Sequence, residues 1–137
     1  MSEQTAAALA AEEAAIYAYG IIGVRLRAAG EVTEARAAEQ IHRDRRDYLI
    51  QRVKNPAAAP AGYRMPFPVT DRATALKLAI QVEDGVAQAW RPVLGVTRDA
   101  DRATALAAMV DAAVRATRWR RLAAVSPVTM AFPGAAS

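Results

Sequence analysis

Residues 56–69 read PAAAPAGYRMPFPV. Four prolines and Gly62 bar a helix here, because each proline lacks the N–H of an i to i−4 bond and its ring collides with the preceding turn. The flanking sequence is helical in pattern. A first helix is expected from about Glu3 to Ala29, closed by Gly30 as a left-handed C-terminal residue. A second runs from about Val32 to Lys54 and is halted by Asn55-Pro56. A third begins where Thr70 or Asp71 can cap an N-terminus and continues to about Leu94, with Pro92 near its end. A fourth spans about Asp99 or Asp101 to Ala124, and the tail SPVTMAFPGAAS (126–137) is expected to be extended. Two short connections and one long one predict an all-α chain. Helices 1 and 2 pair antiparallel, as do helices 3 and 4, and residues 56–69 supply a long crossover between the pairs. The whole of 1–137 is expected to be one bundle domain.

Composition agrees with that class. The 137 residues are 53% apolar and 23% charged, ordinary values for a globular domain. A chain of this size buries roughly two thirds of its unfolded surface, enough for a core without covalent staples. The absence of cysteine excludes disulfides and thiolate metal sites. Residues 1–15 lack the basic and apolar regions of a signal peptide. No run approaches the ~18 apolar residues of a membrane span. A cytoplasmic protein without a membrane partner is therefore expected. The net charge of +4 speaks to solubility more than to activity. RATRWRRL (115–122) gathers Arg118, Arg120 and Arg121 around Trp119, a pattern that can bind anions or stack a base. Arginines are equally favoured at a helix C-terminus by its dipole. No nucleic-acid motif accompanies them, so nucleic acid is not an expected partner.

The chemistry lies in charges on apolar faces. At about 100° per residue, Ala35, Ala38, Glu39, His42, Arg46, Leu49 and Val53 share one side of helix 2. On helix 3, Glu83 falls in the middle of a stripe formed by Leu76, Ala79, Ile80, Val82, Val86, Ala87, Trp90 and Leu94. A lone carboxylate in such a place needs a partner, since an unpaired buried charge is very costly. On helix 1, Glu12 shares a side with Leu9, Ile16, Tyr19 and Leu26, while Glu13 sits to one side. The stripe of helix 4 reads Ala103, Leu106, Ala107, Val110, Val114 and Thr117.

Glu39 and His42 make a Glu-x-x-His pair. Di-iron bundles take one Glu from each of two helices and Glu-x-x-His from each of the other two, so that bridging carboxylates hold two cations and each imidazole completes one shell. Glu12, Glu39, His42 and Glu83 are thus the candidate metal ligands, for iron or manganese. Helix 4 supplies no histidine. Its nearest polar residues are Asp111, Arg115 and Arg118, and arginine carries a fixed charge that cannot ligate a metal. The leading expectation is a non-enzymatic polar core without a cofactor, in which Arg46, or Arg115 and Arg118, balance the inward acids and Asp111 is a further polar partner. The alternatives are a metal-binding oxidase-type bundle and an anion-binding interaction module. No catalytic residue is assigned.

EEAAIYAYG (12–20), EQIHRDRRD (39–47), PFPVTD (66–71), RATRWR (115–120) and PVTMAFPG (127–134) together resemble a family of small bacterial ferritin-like domain proteins of unassigned function. The resemblance covers nearly the whole chain. It implies a ferritin-like four-helix bundle, often a homodimer, and no established activity. By the same analogy Glu12, Glu39, His42 and Glu83 correspond to the inward positions of a di-iron site that has lost its second half, a degenerate one.

Overall fold

The computed structural model describes residues 2–136. It is all-helical: α1 (Glu3–Gly23), α2 (Ala29–Ile50), α3 (Arg72–Trp90), a short 3-10 segment (Arg91–Val96) and α4 (Asp99–Leu122). No strand occurs among the described residues. The expected four-helix bundle with a long connection between the second and third helices is what forms. Among the described residues, no helix is long and apolar enough to cross a membrane.

Local chemistry sets the helix starts. Ser2 caps α1 by accepting the Thr5 N–H at 3.1 Å. Asp71 caps α3 in a reciprocal box: its carboxylate takes the Thr74 N–H at 2.8 Å, and the Thr74 hydroxyl takes the Asp71 N–H at 3.1 Å. The first α1–α2 boundary differs from the sequence expectation. α1 stops at Gly23, and Gly30 lies in the first turn of α2. Leu26 in the intervening link is only 5% exposed, so the chain turns early to drive that side chain into the core. Gly20 and Gly23 do not mark a close helix contact, since a Cβ added at either would meet nothing within 4 Å.

Two apolar clusters show the directions of the helices. One joins Ala8 and Leu9 of α1, Leu49 of α2, Val86 and Trp90 of α3, and Ala105 and Ala108 of α4. The other joins Tyr19 and Ile22 of α1, Ala35 and Ala38 of α2, Leu76 and Ala79 of α3, and Trp119 of α4. The start of α1 therefore lies beside the end of α2, the end of α3 and the start of α4. Helices α2 and α3 run the same way, and residues 51–71 must travel the length of the bundle to connect them. Met65, Phe67 and Val69 of that segment pack on the second cluster as they pass. The tail is less closely tied down than Phe67 is, for Phe132 remains 71% exposed.

The fourth helix presents the opposite face from the one expected. Ala105, Ala108, Ala112, Arg115, Ala116 and Trp119 are buried, while Leu106, Val110 and Val114 are 49%, 46% and 45% exposed. Small alanines let α4 approach α3, which offers Ala75, Ala79 and Ala87. The larger aliphatic side chains are left outside.

Candidate functional site

Between the two apolar clusters the bundle is polar. Glu12 comes from α1, His42 from α2, Glu83 from α3 and Arg115 from α4, and all four are buried. Each sits on an inward helix face, bracketed by residues one turn away that fill the clusters: Leu9 and Ala15 flank Glu12, and Ala79 and Val86 flank Glu83.

His42 is the centre. Its Nδ1 lies 2.9 Å from Glu12 Oε1 and 3.2 Å from Oε2, and its Nε2 lies 2.9 Å from Glu83 Oε2. Tyr19 donates its hydroxyl to the same Glu83 Oε2. Trp119 in turn donates its indole N–H to the Tyr19 oxygen at 2.9 Å. Arg115 Nη1 stands 3.4 Å from the other oxygen of Glu83, and Nη2 donates to Asp111 Oδ2 at 2.8 Å. The Tyr19 ring stacks on the imidazole with centroids 5.6 Å apart.

Protonation follows from these contacts. Burial alone would push the His42 imidazole down, but hydrogen bonds to Glu12 and Glu83, and their charges, raise it to about 9. At neutral pH the ring is an imidazolium donating from both nitrogens. Burial lifts Glu12 above its ordinary value, an effect reduced but not cancelled by His42. Burial and the neighbouring Glu83 raise the Tyr19 phenol well above its usual range, so it stays a donor. Burial opposes the charge on Arg115, yet Glu83 and then Asp111 hold it above its ordinary value. The centre thus sets the carboxyl groups of Glu12 and Glu83 against the imidazole of His42 and the guanidinium of Arg115.

The structure thus brings together Glu12, His42, Glu83, Arg115 and Asp111. It leaves three of the sequence-selected residues outside. Glu39 is half-buried and pairs with Arg43 at 3.2 Å. Arg46 is partly exposed and turns to Asp47 at 2.9 Å. Arg118 is exposed and lies 3.8 Å from Glu34. Glu39 thus stands apart from the other candidate ligands, and neither Arg46 nor Arg118 reaches the inward acids as expected. Among the described residues, no three carboxylate or imidazole side chains converge so as to hold one metal ion. Tyr19 and Trp119, by contrast, belong to the network though neither was among the candidate site residues. The signal was spacing: Tyr19 lies two turns after Glu12, and Trp119 one turn after Arg115.

Outside this centre, Tyr48 of α2 and Arg52, just past its C-terminus, both donate to Asp101 of α4, Arg52 at 2.8 Å, and so tie that end of α2 to α4. Arg72 and Glu31 form a bidentate pair at 2.9 and 2.8 Å at the other end of the bundle.

Among solved structures, the chain is similar to a conserved hypothetical protein, rv2844, from Mycobacterium tuberculosis. The two are 39% identical over 87% of this chain and 93% of the other, with a TM-score of 0.80. No curated protein matches it. The family model described as a domain of unknown function, DUF4439, matches residues 4–137. With that model spanning nearly all of its length, the chain belongs to the DUF4439 family.

Proposed function

We propose that the chain is a single ferritin-like domain that works as a non-catalytic, cytoplasmic homodimer, its inward acids retained as a self-neutralised polar core. What supports the ferritin-like reading is the parallel course of α2 and α3 with a crossover between them, together with Glu12, His42 and Glu83 directed inward from three different helices. One observation carries the non-catalytic reading. Both nitrogens of His42 are engaged by carboxylates, and the fourth helix places Arg115, a fixed cation, on Glu83. A metal ion bound here would have to strip the imidazolium of a proton and approach the guanidinium at short range. The role of such a core is to select one helix arrangement. Its hydrogen bonds are all satisfied only when four helices hold one register, whereas apolar burial alone tolerates several.

Elemental analysis of protein loaded anaerobically with Fe(II) or Mn(II) tests this. No stoichiometric, tightly held ion is expected, and the Tm is expected to ignore either metal. One or two ions retained per chain by the wild type and lost on His42→Ala would overturn the reading in favour of a metal-binding oxidase-type bundle.

A further inference from the structure

The outer face of α4 carries an apolar stripe that the rest of the chain leaves half open. Ala103, Leu106, Val110, Ala113 and Thr117 follow the alternating four- and three-residue steps of a helix seam, and Val114 borders them. Leu106, Val110 and Val114 remain 49%, 46% and 45% exposed, although side chains of this size gain substantially from full burial. The stripe ends in opposite charges. Asp99 is exposed at the N-terminal end and Arg121 at the C-terminal end, and neither takes part in an ion pair among the described residues. Val110 lies midway between them, 99 to 110 and 110 to 121 being equal steps.

We propose that this face is the interface between two copies of the chain, with α4 packed antiparallel on α4 of its twin about a two-fold axis at Val110. Direction follows from charge. Antiparallel packing sets Asp99 of each copy beside Arg121 of the other, twice by symmetry, whereas parallel packing sets like charges together. It also brings opposite ends of the two helix dipoles side by side. Ala103, Ala107 and Ala113 permit a close approach. The stripe borders a groove whose far wall is Met130 and Pro133 of the C-terminal tail, so a second α4 lies against the tail as well and the buried surface exceeds that of the helices alone. This inference rests on the homodimeric reading above and adds the surface, the direction and the register.

Sedimentation equilibrium of the full chain at low ionic strength tests both. Wild type is expected to be a dimer, and Val110→Glu, which places two carboxylates on the axis, to dissociate at least tenfold more readily. Because Val110 is exposed in the single chain, thermal melting at concentrations below dissociation is expected to be unchanged by Val110→Glu, which separates loss of the interface from loss of the fold. Asp99→Arg and Arg121→Asp are each expected to weaken the dimer, and the double variant to restore it. A monomeric wild type would overturn this inference and the homodimeric reading together. A dimeric wild type that Val110→Glu leaves intact would overturn the surface alone, and failure of the double variant to recover would overturn the antiparallel register.

Discussion

Arg115 of α4 holds Nη1 3.4 Å from Oε1 of Glu83 on α3, and the two side chains are only 4% and 0% exposed. The third and fourth helices are thus joined inside the bundle by a guanidinium. The second arm of Arg115 reaches outward to Asp111, whose side chain is 37% exposed. One cation therefore has two very different partners, one inside the core and one at its rim.

Removing the cation strands the inner partner. Arg115→Met leaves Glu83 with His42 and Tyr19 alone and tips the core to net negative charge. A loss of roughly 3–5 kcal/mol is expected in urea unfolding, the range for breaking a buried pair from one side. Asp111→Asn removes only an i,i+4 pair at the rim and is expected to cost about 0.5 kcal/mol. Equal losses from the two variants would contradict the assignment of Arg115 to Glu83.

The imidazolium makes stability depend on pH. His42 titrates at about 9 in the folded chain against an ordinary value of 6.5. A raised value means that the contribution is fully present below pH 6.5 and is lost as pH climbs through 9. The difference corresponds to roughly 3 kcal/mol. Glu12 is raised too, and it withdraws stability in the same sense but from pH 4.5 upward. Urea midpoints measured from pH 6 to 10 should therefore fall steadily, and His42→Gln should flatten that decline. A flat wild-type profile would show that the fold does not raise His42 above its ordinary value.

Tyr19 links the charged centre to Trp119 by donating to one and accepting from the other. Tyr19→Phe keeps the ring that stacks on His42 but leaves the buried Trp119 N–H without an acceptor. An unmade buried hydrogen bond costs about 1–3 kcal/mol. The variant is expected to lose that much and to shift Trp119 emission, since the indole loses its polar contact. Tyr17→Phe provides a control, because Tyr17 is half-exposed and packs against the tilted ring of Tyr63 outside the network.

The parts of this arrangement that were legible in the sequence share a physical cause. Glu83 stands alone on a wide apolar stripe, and such contrast fixes a direction from spacing alone. Residues 56–69 likewise admit no helix, which forces the crossover. Glu39 and Arg46 were misplaced because the wheel gives angle and not depth. They lie 60° and 40° around from His42, but α2 packs its backbone closely against α1 alone among the described residues, and its buried band is narrow. At those angles a long side chain reaches the surface and finds Arg43 or Asp47. For α4 the pattern itself pointed the wrong way. Alanines occupy both faces, so side-chain size selected the outer stripe, whereas burial was decided by close approach to α3 and by Arg115 and Trp119, whose partners lie inside.

The strongest test of a self-neutralised core is to remove a matched pair from it. His42→Leu takes away one cation and leaves Glu12 and Glu83 to share Arg115, so Glu12, with no other hydrogen-bond partner in the cluster, is stranded. A loss of about 3–5 kcal/mol is expected. Adding Glu12→Met removes one anion as well and leaves Glu83 with Arg115 and Tyr19, a satisfied and neutral set. Apolar replacement of a buried ion pair is often neutral or stabilising. The double variant should therefore recover most of what the single variant loses, and its urea midpoint should no longer fall between pH 6.5 and 9. A double variant as unstable as the sum of its parts would mean that Glu12 and His42 do not act as a pair.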